Sequence, residues 1–309
     1  MKICFIAGAN SIHSHRWVRY FAERNHEIHW ILLGNQNKIG LGNISSYLLK
    51  RSSVKSVRVI KYIMGVRKLL NEIKPQILHV HQVWIDGIIA DICHFHPYIL
   101  TVWGSDVLLG SKSIIKRPFI QHALKAADLV TCDAIHMKEK LLELGVNKEK
   151  IRIINFGVDV NIFKPGEKNL DLACKLNILN SPVIISLRSL NPIYDVITLI
   201  RAVPLVLKRN PKAKFIIVGE GIEREKLFDQ AKTLGVLDSI IFTGFISNEL
   251  LPEYINLSDI YVSTSTSDAG IAASTAEAMA CGLPVIITDF GDNKKWVVND
   301  VNGYLVPLS

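Results

Sequence analysis

Two successive runs of strand-length apolar segments, each alternating with helix-length amphipathic ones, constrain this chain's fold more than any other feature. Such alternation marks βαβ units, in which crossover helices join parallel strands. The first run predicts strands at Lys2–Ala7, Glu27–Leu33, Ile77–His81, Ile99–Trp103 and Leu129–Cys132, with helices over His15–Glu23 and Lys138–Leu144. The second predicts strands at Val183–Leu187, Lys214–Val218, Ser239–Thr243, Ile260–Ser263 and Val285–Thr288. Its helices fall over Thr198–Arg209, Glu223–Leu234 and Ser274–Cys281. These strands are apolar almost throughout, as strands covered on both faces are. A proline-bearing segment, Asn161–Lys168, separates the runs, so an α/β chain of two domains, 1–165 and 166–309, is expected. Ligands of such sheets bind at the carboxyl ends of the strands. A two-lobed chain is therefore expected to bind across its cleft.

At 309 residues the chain has room for both domains, and 49% hydrophobic with 21% charged residues excludes disorder. Cys4, Cys93, Cys132, Cys174 and Cys281 are scattered without metal or redox spacing, which suits free thiols in a reducing compartment. Met1–Ala9 is too short for a signal segment with its cleavage site. No stretch approaches the roughly 18 apolar residues of a membrane span. A cytoplasmic protein is expected.

Charge is unevenly placed. Residues 1–170 hold 24 Lys and Arg against 13 Asp and Glu, a net +11, while residues 171–309 hold 12 against 15, a net −3. All ten histidines also lie in the first half. Either that half faces something anionic, such as the inner face of a membrane with the protein peripheral to it, or it is a solvated basic surface. Within it, Lys50–Leu70 interleaves Lys55, Arg58, Lys61, Arg67 and Lys68 with Val54, Val57, Ile60, Ile63 and Met64. This basic amphipathic pattern suits either anionic lipid or a helix packing its apolar stripe on the sheet. A nucleic-acid partner is not expected.

The strongest local signal runs from Ser267 to Ile286. Small residues and Gly270 form a loop after the strand at Ile260–Ser263, and Ser274 is placed to cap a helix with Glu277 as capping-box partner. Gly282 and Pro284 close that helix. A small-residue loop feeding a helix start exposes unpaired N–H groups and a positive dipole end, which suit a diphosphate. Glu277 is either a plain capping carboxylate or an acceptor for sugar hydroxyls. Arg188, just past the Val183–Leu187 strand, is either a phosphate-gripping fork or a surface arginine. Val218-Gly219-Glu220-Gly221 is a strand end where backbone can approach a ligand closely, or an ordinary turn.

In the first half, the Gly8-to-His15 loop lacks the three-glycine dinucleotide fingerprint, which disfavours NAD or FAD. Asp106, after the later Thr101–Trp103 segment, either binds a hydroxyl and assists proton movement or caps a helix. His79, His81, His94 and His96 complete no recognised metal motif, so no metal site is assigned. The absence of G-x-S-x-G, P-loop and H-E-x-x-H motifs removes triad hydrolase, NTPase and zinc-protease readings.

Together these segments resemble the retaining glycosyltransferases of family 4, and the likeness runs from residue 1 to 309. Glu277-Ala-Met-Ala-Cys-Gly-Leu-Pro-Val-Ile is similar to that family's donor-loop signature, and Asn302-Gly-Tyr-Leu-Val-Pro307 to its sequel. Phe156-Gly-Val-Asp-Val-Asn-Ile-Phe-Lys-Pro165 resembles its interdomain element, Phe242-Thr-Gly-Phe245 its strand end beside the base, and His13-Ser-His15-Arg-Trp-Val its first-loop helix start. The resemblance implies a GT-B fold, two Rossmann-like domains facing across a cleft. It implies transfer of a sugar from a nucleotide-diphosphate sugar to an acceptor hydroxyl with retention, without metal or cofactor. Glycan or lipid-linked acceptors, in surface polysaccharide or glycolipid synthesis, are its usual partners.

Carried over by position, Arg188 would hold the diphosphate, with Tyr194 where the family's lysine is expected. Gly270 and Ile271 would supply backbone N–H groups, Glu277 would accept from the ribose, and Gly8 and Gly219 would let the ligand approach. Phe245 and Ile246 would lie beside the base, while Asp106 and His13 stand as catalytic candidates. The sequence departs from the pattern at three places. Ala269 replaces the first acid of the Glu-x7-Glu pair, with Asp268 one place earlier; Tyr194 replaces the lysine; and Trp103 replaces the usual histidine. The chain also stops just after Pro307, where relatives continue, which implies a truncated form or a fragment. The alternatives are a catalytically impaired sugar-nucleotide-binding protein or assembly partner, and a nucleotide-sugar epimerase.

Overall fold

The computed structural model describes residues 1–9, 11–34, 43–53, 55–155, 157–268 and 270–308. Asn10 of the first loop, Val54 of the basic segment, Phe156 of the interdomain motif and Ala269 of the donor loop lie outside the described residues. Packing divides the chain into two units, Met1–Asn155 and Phe156–Ser309. The division thus precedes the proline-bearing segment instead of falling at 165/166. Phe163 gives the reason: its ring is buried in the same core as Ile255, Tyr261 and Val285, which ties that segment to the second unit.

The first unit begins with β1 (Lys2–Ile6), α1 (Ile12–Ala22), β2 (Glu27–Leu33), β3 (Ile44–Leu49) and α2 (Lys55–Ile73). It continues through β4 (Ile77–His81), α3 (Ile88–Cys93), β5 (Tyr98–Thr101), α4 (Ser105–Leu108) and α5 (Arg117–Ala126). It ends with β6 (Leu129–Cys132), α6 (Ile135–Glu143) and β7 (Ile151–Ile153). All seven strands are parallel, in the order β3-β2-β1-β4-β5-β6-β7. Strand order reverses between β1 and β4. Phe5, Ile28, Trp30 and Leu32 are fully buried on this sheet, and the Trp30 indole N–H donates to the Ala7 carbonyl at 3.0 Å. Burying side chains of this size contributes about 1.5–3 kcal/mol each.

The basic segment after β3 becomes α2. Tyr62, Val66, Leu70 and Ile73 are buried at helical spacing, so its main apolar stripe packs on its own unit. Ile60 and Met64 remain exposed on another face of the helix. Among the described residues no helix is long and apolar enough to cross a membrane.

The second unit opens with α7 (Leu170–Lys175), β8 (Val183–Leu187), α8 (Val196–Arg209), β9 (Lys214–Val218) and α9 (Arg224–Thr233). Then come β10 (Ile240–Gly244), α10 (Leu251–Leu257), β11 (Ile260–Ser263), α11 (Ala273–Ala280), β12 (Val285–Thr288) and β13 (Gly303–Val306). Its six parallel strands run β10-β9-β8-β11-β12-β13. The order reverses between β8 and β11, which makes the carboxyl ends of those two strands the switch point where α/β sheets take ligands. One core covers each face, one built on Ile185, Ile216 and Tyr261, the other on Ile200, Phe215 and Leu227.

Candidate functional site

Arg188 is the first residue past β8, and the topology delivers it to the switch point. It is not a surface arginine: it is 9% exposed. Its Nη2 donates to Asp268 Oδ1 at 2.5 Å and to Ser265 Oγ at 3.3 Å, and its Nη1 donates to Ser274 Oγ at 3.5 Å. The guanidinium carbon lies 4.4 Å from the centre of the Tyr194 ring, a cation–π contact. Burial alone would lower the guanidinium's pKa, but the Asp268 carboxylate beside it, with Tyr261, raises it, so the charge is fixed. Arg188 Nε and Ser263 Oγ are both buried without a hydrogen-bond partner among the described residues. Orphaned buried donors are uncommon and call for an explanation.

Ser274 is not the cap expected from sequence. Ala272 holds the N-cap position, with no side-chain cap bond, and Ser274 lies inside the first turn of α11. Its hydroxyl is committed to Arg188 and, at 2.9 Å, to the Tyr261 hydroxyl, so no capping box with Glu277 forms. The Ala276 N–H already bonds the Ala272 carbonyl, which leaves the earlier N–H groups of the helix outside its own ladder. Gly270 and Ile271 lead into this turn, both buried. Glu277 sits one turn on and is 5% exposed. Burial and then the Glu277 carboxylate push the Cys281 thiol up to about 11.

Gly219 at the end of β9 has φ +136°, and a Cβ there would stand 2.2 Å from the Arg188 carbonyl oxygen. Only glycine lets β9 pass so close to the peptide that sets Arg188. A Cβ at Gly221 would likewise stand 2.2 Å from the Leu190 carbonyl oxygen. Beyond β10, Phe245 is exposed, while Ile246 packs against the core that contains Ile185 and Tyr261. The structure thus gathers Arg188, Tyr194, Gly219, Asp268 and the start of α11, and adds Ser265 and Tyr261, which sequence reasoning missed. Ser265 had a signal: it follows the end of β11, next to β8.

The first unit carries its own set at its switch point. Gly8 follows β1, and a Cβ there would meet no atom within 4 Å. His13, in the first turn of α1, stacks on Trp103 with ring centres 5.2 Å apart. Burial, then the nearby Arg16 charge, lowers His13 to about 4, so it is neutral at pH 7. His81 donates or accepts with Ser14 Oγ at 3.1 Å and meets the Trp103 ring edge-on at 5.1 Å. Asp106 is not the N-cap of α4, a position Gly104 takes. Its carboxylate accepts the backbone N–H of Val83 at 2.9 Å and of Trp103 at 3.1 Å, which ties the loops after β4 and β5 together. Burial raises its pKa against these bonds. Among the described residues no group of three or more His, Cys, Asp or Glu is arranged to hold a metal.

Comparison with known families matches residues 172–308 to "Glycosyl transferases group 1" and residues 2–134 to "Glycosyl transferase 4-like". An uncharacterized glycosyltransferase of Methanocaldococcus jannaschii is 26% identical over 75% of this chain, which spans 62% of that relative's length. The UDP-Gal:alpha-D-GlcNAc-diphosphoundecaprenol alpha-1,3-galactosyltransferase of Escherichia coli is 26% identical over 83% of the chain and 69% of its own. Among solved structures, Anabaena HepE in complex with UDP-glucose superposes with a TM-score of 0.80 at 20% identity, covering 100% of this chain and 86% of that one. The fold of the two units is that of the GT-B glycosyltransferases.

Proposed function

We propose that this chain, which belongs to the group 1 glycosyltransferases of family 4, moves a sugar from a nucleotide-diphosphate sugar to an acceptor hydroxyl with retention of configuration. The observation that carries this reading is Arg188: a buried guanidinium at the switch point of the second sheet, with an orphaned Nε, beside the uncapped first turn of α11. A donor diphosphate placed there takes the position that Asp268 Oδ1 now holds on Nη2. The guanidinium and the N–H groups at Gly270, Ile271 and the start of α11 then neutralise the charge that grows as the anomeric carbon–oxygen bond breaks. Glu277 accepts from the ribose hydroxyls. The acceptor oxygen bonds to the anomeric carbon on the face the diphosphate leaves, and its proton passes to a diphosphate oxygen. No protein nucleophile and no metal enters this scheme.

In the first unit, burial and then the Arg16 charge keep His13 neutral at pH 7, so its ring can accept a hydrogen bond from a hydroxyl bound to that unit. Asp106, with its two backbone bonds, is better suited to fixing Trp103 and Val83 than to moving a proton. The E. coli relative's lipid-linked acceptor and the basic first half support a glycan or lipid-linked acceptor, met at the cytoplasmic face of a membrane.

One feature favours a second reading, a sugar-nucleotide-binding protein without turnover: Tyr194 stands where a second cation is expected, and its ring adds no full charge to the diphosphate clamp. Radiolabelled transfer from a panel of nucleotide sugars onto membrane extracts separates the readings. Transfer supports the enzyme; binding without turnover supports the second reading; donor isomerisation without acceptor points to an epimerase.

A further inference from the structure

Among the described residues of the first unit the most exposed apolar side chain is Ile114, at 90%, and its neighbour Ile115 is 79% exposed. They stand at the tip of the connection from α4 to α5, with Leu109 and Phe119 on the flanks of that connection also exposed. The loop after β4 packs against the same helix: Lys116 Nζ lies 4.6 Å from the centre of the Trp84 ring, and Ile85 is exposed beside it. Two adjacent isoleucines held in water at this level lose the apolar burial that a partner would supply.

Charge identifies the partner. Lys112, Lys116 and Arg117 bracket the two isoleucines, and residues 107–127 contain Lys125 besides but no Asp or Glu. The neighbouring acid of the β4 loop, Asp86, is pushed up to about 7 by burial, so at neutral pH it sets only part of a full negative charge against them. Asp91, on α3, is 8% exposed and bonded to His122 at 2.6 Å. An apolar tip flanked by cations, on a segment with no acid of its own, matches an anionic bilayer, where the isoleucines enter the acyl region and the cations meet headgroup phosphates. A protein partner of ordinary polarity would not need the one-sided charge.

We propose that the Leu109–Phe119 connection is a membrane-docking tip, with Ile114 and Ile115 inserting into an anionic lipid bilayer. The tip follows the carboxyl end of β5, the same end of the sheet from which His13 and Trp103 follow β1 and β5. A lipid-linked acceptor drawn from the bilayer would therefore reach the acceptor-side residues without leaving the surface. That last link rests on the transferase reading, whereas docking does not.

The test is co-sedimentation of the full chain with vesicles of phosphatidylglycerol and phosphatidylcholine, and with phosphatidylcholine alone. The wild type should bind the anionic vesicles and release as salt rises. Ile114→Glu with Ile115→Glu should weaken binding by about tenfold or more, while Leu205→Glu, an exposed site on α8, leaves it unchanged. An environment-sensitive dye on Ile114→Cys should shift to the blue on anionic vesicles only, which reads insertion even if the double variant folds poorly. Binding that survives Ile114→Glu with Ile115→Glu, or is lost instead with Ile60→Glu and Met64→Glu on α2, overturns the tip. So does a wild type that ignores lipid and binds only another protein. Nucleotide binding is measured on the same samples without vesicles, so failure of docking and failure of the transferase reading are separate results.

Discussion

Replacing Asp268 with Asn should tighten UDP binding while weakening the ligand-free fold, two effects of opposite sign from one missing charge. The Arg188–Asp268 pair is 2.5 Å long, with side chains 8% and 14% exposed. Unit charges about 4 Å apart at an effective dielectric of about 20 attract by about 4 kcal/mol. A diphosphate that takes Nη2 must displace that attraction and tolerate a nearby like charge. Rehydration of the released carboxylate returns part of the cost, which leaves about 1.5–2.5 kcal/mol working against the ligand. Asp268→Asn removes this term, so UDP should bind roughly tenfold to seventyfold more tightly. The same change strips a buried guanidinium of its counter-charge and should cost the free protein about 1–3 kcal/mol. Titration calorimetry with UDP reads the first effect and urea unfolding reads the second. UDP affinity unchanged or weaker in Asp268→Asn would refute the idea that this carboxylate holds the ligand's place.

Three further outcomes are expected. Gly219→Ala should destabilise the second unit by about 2–4 kcal/mol in urea unfolding, because its Cβ meets the Arg188 carbonyl at 2.2 Å in a left-handed backbone region. Burial lowers His79 to about 3 in the fold, so only the unfolded chain takes up its proton as pH falls from about 6.5. Stability is therefore full above pH 6.5 and lost toward pH 3, and His79→Gln should flatten that slope in the first unit's unfolding. Glu277→Gln should weaken UDP binding by about tenfold with unfolding stability little changed, as expected for a carboxylate that accepts from ribose hydroxyls.

The sequence exposed the central strands and β10, and hid the other three edge strands. β2, β4, β6, β8, β9, β11 and β12 match their expected bounds, since strands covered on both faces read as continuous apolar runs. β3, β7 and β13 went unseen: each lies at an edge of its sheet, and Ile-Ser-Ser-Tyr-Leu-Leu or the three-residue Ile-Arg-Ile carries too little apolar signal. Arg188 was legible because a strand end is a local feature. Its partner was not, because Asp268 lies 80 positions away and meets it only once β8 and β11 are neighbours. Ser274 misled for the same reason. Its place before a helix suggested a cap, but the hydroxyl is drawn to Arg188 and Tyr261 by packing that no local pattern encodes. The basic segment was ambiguous from sequence, and the buried Tyr62, Val66 and Leu70 settle where its main stripe goes.

Calorimetric titration of UDP, GDP and ADP into the wild type and into Arg188→Ala, each repeated in the Asp268→Asn background, tests the donor site most directly. One of the three nucleotides should bind, and loss of the guanidinium should weaken it by about a hundredfold in the Asp268→Asn background and by less in the wild type, where Asp268 already offsets part of the guanidinium's pull. A nucleotide that binds equally well without Arg188, or none that binds at all, would contradict a diphosphate seated at the β8–β11 switch point.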